Sequence, residues 1–157
     1  MKFSKIFLIM AIVTLIASVS FVAATEATVG PYSFTVPDEY AIAEQKDNFI
    51  SMKVDENNAL SFSTDVDDDI EKSKQAFIKQ GQELITEAEM DYDNLHIYLQ
   101  AFQIDKDGQT FYTYNFIYLS EDGNFVVTYV TNDTDFDYDL ESENNPVGNL
   151  LSSLNLK

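Results

Sequence analysis

Between residues 133 and 143 the chain reads Asp-Thr-Asp-Phe-Asp-Tyr-Asp-Leu-Glu-Ser-Glu, with an acid at every second position. Carboxylates converging in a loop are the hard oxygen ligands that Ca²⁺ takes, about six to eight at a time. Asp133, Asp135, Asp137 and Asp139 are therefore the candidate metal ligands, and Ca²⁺ is the only cofactor the residues suggest. The spacing is not that of an EF-hand. Counted from Asp133, the position that needs glycine holds Tyr138 and the closing glutamate is replaced by Asn144. The same alternation in an extended segment sends the acids one way and Phe136, Tyr138 and Leu140 the other, which describes a solvated edge laid over a core. Asp65-Val-Asp-Asp-Asp69 poses the question again, but Ile70 and Ala76 stand where an EF-hand needs Gly and Glu. Acids at the start of a helix, where free amides and the dipole favour them, explain this run better.

Other chemistry is thinly represented. His96 is the only histidine and there is no cysteine, which leaves no ligand set for structural zinc and no Cys–His nucleophile. No glycine pattern of a nucleophile elbow accompanies any serine, so a triad through His96 has no second member in view. His96 alternates with Leu95 and Ile97 and reads as a strand residue at or near the surface. Carboxylate pairs of the kind a glycosidase uses are present only because acids are everywhere. Five glycines, all in turn or helix contexts, give no phosphate-cradling loop. Tyr112, Tyr114 and Tyr118 form a row that would suit a carbohydrate or peptide, or simply a covering helix. Asn132-Asp-Thr134 is a glycosylation sequon in an expected loop.

The elements that must carry these residues follow from periodicity. Tyr32–Val36, Phe49–Val54 and Ala59–Thr64 read as strands, the first stopped by Pro37 and the last two separated by Asp55-Glu-Asn-Asn58. Ile70, Phe77, Ile78, Leu84, Ile85 and Ala88 recur at helical spacing and predict one amphipathic helix over 69–89. Leu95–Ile104, Gln109–Leu119 and Asn124–Thr131 read as a meander, turned at Asp105-Lys-Asp-Gly108 and Ser120-Glu-Asp-Gly123. Within it Tyr112, Tyr114, Phe116 and Tyr118 face one way and Phe111, Ile117 and Leu119 the other, so the sheet is expected to be covered on both sides. Asn145 as cap, Pro146 at the first position and Val147, Leu150, Leu151 and Leu154 on one face predict a closing helix. The expected order is β-β-β-α-β-β-β-α.

The N-terminus sets the compartment. Lys2 and Lys5 precede 17 uncharged residues, Ile6–Val22, and Val22 and Ala24 sit three and one residues before a signal-peptidase site. Residues 1–24 are read as a signal peptide, or as an uncleaved anchor with the rest of the chain outside, since 17 residues fall just short of the about 20 that span a bilayer. A buried helix of the folded domain fits less well, because the run lacks a polar face and carries only Thr14, Ser18 and Ser20. Residues 25–157 form the expected single acidic domain. Of nine basic residues it keeps seven, all lysines, against 27 acids, a formal charge of −20. Nothing there can neutralise phosphates, so nucleic acid is excluded as a partner and anionic lipid is repelled. The 18 phenylalanines and tyrosines beyond residue 24 supply a core that a disordered acidic chain would lack. Self-repulsion keeps such a domain soluble and monomeric.

Tyr32-Ser-Phe-Thr-Val-Pro37 with an aromatic at Tyr40, and the closing Leu150-Leu-Ser-Ser-Leu154, resemble the opening strand and terminal helix of PsbP-like proteins. That resemblance implies an α+β fold, an antiparallel sheet of about six strands sandwiched between helices, and a non-enzymatic, partner-binding role. Tyr40 stands where that group often has Trp, and the basic residues of its photosystem member are missing, so photosystem docking does not transfer. The expectation is thus an exported, non-catalytic domain, secreted or at the cell surface, that engages a basic or neutral protein partner. A calcium-binding protein using the 133–143 loop is the alternative from another class, and a carboxylate-based hydrolase is the third.

Overall fold

The computed structural model describes residues 25–156. The segment read as a signal peptide or anchor, residues 1–24, lies outside them. Among the described residues no helix is long and apolar enough to cross a membrane.

Among the described residues, ten strands and two helices follow in the order β1 (Glu26–Val29), β2 (Tyr32–Thr35), β3 (Ala41–Lys46), β4 (Phe49–Lys53), β5 (Ala59–Ser63), α1 (Ile70–Lys79), β6 (Glu83–Tyr92), β7 (Leu95–Lys106), β8 (Gln109–Tyr118), β9 (Phe125–Thr131), α2 (Pro146–Ser152) and β10 (Asn155–Leu156). The strands form two antiparallel sheets, β3-β4-β5-β9-β8-β7-β6 and β1-β2-β10. This corrects the expected α+β sandwich of six strands between helices: the fold is β-rich, with two stacked sheets and little helix.

The largest single difference lies in the helix expected over 69–89. It ends at Lys79, and Glu83–Tyr92 is the edge strand β6, paired with β7 from Glu83↔Gln103 to Tyr92↔Leu95. Gly81, at φ +87, takes the chain out of the helix through a conformation that L-residues rarely adopt. From there Leu84, Ala88, Met90 and Tyr92 alternate with acids, and a bulge between Leu84 and Thr86 absorbs Ile85. Three short strands, β1, β3 and β10, were not expected either. Both helix starts match the sequence. The Asp69 carboxylate accepts from the Lys72 amide at 3.0 Å, and Asn145 accepts from Val147 and Gly148 at 2.9 and 3.2 Å.

Strand alternation gives the large sheet two unlike faces. The inner face carries Ile50, Met52, Leu60, Phe62, Leu99, Phe116 and Val127 into the core. There it meets Val29 and Phe34 of the small sheet, Val147, Leu150 and Leu151 of α2, and Leu140 of the acidic segment. Phe62 lies at the centre, its ring 5.0 Å from those of Phe34 and Phe125 and 5.7 Å from that of Tyr32. The outer face carries α1, whose Phe77 ring stacks on Phe102 at 4.8 Å.

Candidate functional site

The acidic segment is not an extended edge but a chain of side-chain-to-backbone turns. Asp133 accepts from the amide of Asp135, Asp137 from that of Asp139, and Asp139 from that of Glu141, at 2.9, 3.0 and 3.0 Å. From below, the Asn145 side-chain amide donates to the carbonyls of Asp137 and Asp139 at 3.2 and 3.0 Å. One residue thus caps α2 and fastens the loop. The fit there is close: a Cβ on Gly148 would collide with the Leu140 carbonyl oxygen. Leu140 is buried, whereas Tyr138, expected to share its side, is exposed.

Of the four candidate ligands, Asp133, Asp137 and Asp139 each spend a carboxylate oxygen on a local turn. Among the described residues no three or more His, Cys, Asp or Glu side chains gather where a metal ion could be held. The Asp65–Asp69 run caps α1, and Asp67 pairs with Lys72 at 2.8 Å.

Beneath the loop is an aromatic floor. Phe136 places its ring 4.7 Å from both Tyr114 and Tyr129, so the loop's own aromatic, more than a helix, covers this part of the tyrosine row. Tyr118 packs on Phe125 at 5.0 Å, and Tyr92 donates to the Gly148 carbonyl at 3.3 Å. Tyr40 hydrogen-bonds Tyr129, whose hydroxyl donates to Asn58 Oδ1 at 3.2 Å, while Thr131 donates to the same oxygen at 2.7 Å. Asn58 in turn donates to both carboxylate oxygens of Asp55 at 3.0 Å. Burial holds the phenol of Tyr40 far above the ordinary tyrosine range, with Tyr129 adding to the effect, and burial raises Tyr129 and Tyr114 as well. Phenols kept neutral by burial are anchors, not bases.

His96 is exposed, as its place on a strand suggested. It sits opposite Asp91 across β6 and β7, with Nδ1 2.7 Å from the Asp91 carboxylate and Nε2 3.3 Å from that of Glu89. The hydrogen bond to Asp91 raises its pKa above the usual histidine value. A side chain occupied at both nitrogens by carboxylates in solvent has the geometry of a surface ion cluster, not that of a base beside a nucleophile.

A second constellation went unread in the sequence. On the outer face, strand register places Glu44, Ser51, Ser61, Thr128, Asn115, Gln100 and Glu87 side by side, one from each strand of the large sheet. Ser51, Ser61, Thr128, Asn115 and Gln100 are at most 4 % exposed, and Lys53, one step along β4, is 6 % exposed. Thr128 donates to Asn115 at 2.8 Å, and Gln100 donates to the Ile70 carbonyl at 3.1 Å. Each of these residues lies two positions from an apolar one, so the row was visible only as weak spots in the strand pattern. Pairing alone brings them together.

The architecture is that of an antiparallel two-sheet β protein with helices at its margins. No family model matches the chain, and no curated protein does. Among solved structures, a protein from Bacteroides thetaiotaomicron VPI-5482 is similar over 87 % of this chain at 8 % identity, with a TM-score of 0.56. The chain spans about half of that protein, 49 % of its length, and at this identity the likeness shows the fold alone. A Pseudomonas aeruginosa protein of unknown function is similar over 69 % of this chain and 82 % of its own, at 13 % identity and a TM-score of 0.44. None of these comparisons supports the PsbP-like resemblance.

Proposed function

We propose that this protein is an exported, non-catalytic binding domain that engages a basic or neutral protein partner outside the cytoplasm. The observation that carries the reading is the acidic loop at 133–143. Its carboxylates face solvent on a frame fixed by Asn145, Leu140 and Phe136. A loop ordered before binding surrenders little conformational entropy on docking. Rim carboxylates of one sign speed the approach of a basic partner and fix its register. The chain's charge of −18 extends that field well beyond the loop. Export rests on Lys2, Lys5 and the apolar run to Val22.

The test is affinity capture from the producing cell's envelope and medium, with the protein and with its Asp135→Asn/Asp137→Asn variant, at about 50 and 500 mM NaCl. At these two salts the screening length falls from about 14 to about 4 Å. One partner held at low salt, released at high salt and lost with the variant is the expected result. Capture that ignores both salt and the substitutions would move recognition away from the loop. A parallel thermal titration with CaCl₂ against matched NaCl and MgCl₂ separates the calcium alternative, which requires a saturating, calcium-selective rise in Tm.

A further inference from the structure

The two edges of the large sheet end differently. Strand β3 is flanked by β1: Gln45 reaches the Thr28 carbonyl at 3.4 Å, and Gly30 donates to the Asp47 carbonyl at 2.7 Å. Strand β6, among the described residues, has β7 as its only strand neighbour. Past the bulge at Ile85, residues 86–92 pair with β7 in unbroken register. Every second residue of such an edge directs its N–H and C=O away from the sheet. The side chains beside that open ladder are of two kinds. On the outer side stand Glu87, Glu89 and Asp91, their side chains 45, 65 and 83 % exposed. Lys74 reaches Glu87 but is shared with Glu71, and His96 lies between Glu89 and Asp91. Four carboxylates thus meet one lysine and one histidine, so the edge stays negative even with the ring protonated. On the inner side Ala88, Met90 and Tyr92 pack against the core yet are only half-buried, an apolar row that stops where the sheet stops.

We propose that the β6 edge takes an extended segment of a basic protein partner by strand addition, a segment that alternates lysine or arginine with aliphatic residues. Main-chain hydrogen bonds to residues 86–92 hold such a segment in register. Its basic side chains come to lie opposite Glu87, Glu89 and Asp91, where unlike charges across strands attract. Its aliphatic side chains extend the inner row beyond Ala88, Met90 and Tyr92 and remove that row from water. A second copy of this chain fits poorly. Antiparallel pairing of β6 with itself sets Glu87, Glu89 and Asp91 against the same acids, and like charges directly opposite destabilise a pair. The acids that bar self-association are the ones that select the partner.

The edge adjoins the acidic loop. Tyr92 donates to the Gly148 carbonyl at 3.3 Å, and burial, then the charges of Asp93 and Glu141, holds its phenol above the ordinary value. A segment laid along β6 therefore ends beside the 133–143 carboxylates, and the two acidic surfaces can serve one partner. The inference rests on the partner reading for the basic character of the partner and adds the strand that holds it.

The probe is a Lys-Val-Lys-Val-Lys-Val-Lys peptide with blocked ends, added to the full-length chain and read by amide hydrogen exchange. At saturation, exchange across residues 86–92 should slow by about five-fold or more. Methylating the peptide's backbone nitrogens, at the lysines in one version and at the valines in another, should abolish the effect in one version only, because one set of amides faces β6. Glu87→Gln/Glu89→Gln alters exposed side chains and should weaken binding by about five-fold. No protection, protection confined to residues 133–143, or equal binding of the two methylated peptides would each overturn the inference. Protection of β6 that grows with protein concentration in the absence of peptide would overturn it too, and would assign the edge to a second copy. The two readings fail separately. Failure of the peptide leaves salt-sensitive capture through the loop standing, and failure of the capture leaves the peptide result untouched.

Discussion

The two faces of the seven-stranded sheet are built from the same strands and could hardly differ more. On the inner face Phe62 and Phe125 meet Tyr32 and Phe34 of the small sheet ring to ring, and the core around them is built of aliphatic and aromatic side chains from both sheets, α2 and the acidic loop. On the outer face a row of hydroxyls and amides runs across the strands, with a lysine beside it. Apolar burial of the first kind drives folding and is indifferent to partners. Buried polar groups of the second kind add little net stability and penalise any cover that leaves them unpaired. The inner face therefore explains why the chain folds. The outer face, with its demand for matched hydrogen bonds, is where the sequence specifies what may lie against it.

The comparison breaks most readily at Phe62. Its side chain has no exposure and three aromatic neighbours, so Phe62→Ala should lower the unfolding free energy measured in urea by about 4 kcal/mol. Gly148→Ala should follow at about 3 kcal/mol, because its new methyl meets backbone, not a side chain that can swing aside. A loss below about 1 kcal/mol would mean that the 133–143 loop rides loosely on α2. Thr128→Val probes the other face. The swap keeps the shape but strips the Asn115 carbonyl of its donor, for an expected loss of about 1 kcal/mol. A neutral or stabilising result would show that water already reaches the row.

The sequence made the inner face legible because its signals are redundant. In β8 every second residue from Tyr112 to Tyr118 is aromatic, and in α2 the cap, the proline and the apolar stripe coincide. The stretch from Leu84 to Ala88 carried two periods at once. Ile78 to Ile85 is two helical turns, while Leu84, Ala88 and Met90 fit a strand around a one-residue bulge. Pairing with β7 decided between them, and Gly81 was the local sign of the break. β3, Ala-Ile-Ala-Glu-Gln-Lys, has little intrinsic strand preference and is a strand because β4 pairs with it. In the loop, the inward turn of Phe136 and Leu140 was readable from alternation. The exposure of Tyr138 was not, because the Asp side chains fold the segment into turns. The polar row was hidden for a different reason: strand register, which no single segment encodes, is what assembles it.

The smallest expected effect lies at the far edge of the outer face, where His96 meets Asp91 and Glu89. Its hydrogen bonds raise the folded-state pKa above the unfolded value, so the protonated ring binds its proton more tightly in the native protein. The associated stability is fully present below about pH 6.5, the unfolded pKa. It is lost as pH rises through the higher folded value. The group is exposed, and its two partners are more exposed still, so salt and water screen the attraction. Tm should therefore fall slightly between pH 6 and 8 at low ionic strength. His96→Gln should remove that slope, and so should about 0.5 M NaCl, which screens surface pairs. A fall in Tm that survives the substitution would belong to the collective repulsion of the acidic surface. A rise over the same interval would mean that the ring is neutral beside its carboxylates, contrary to the geometry of the cluster.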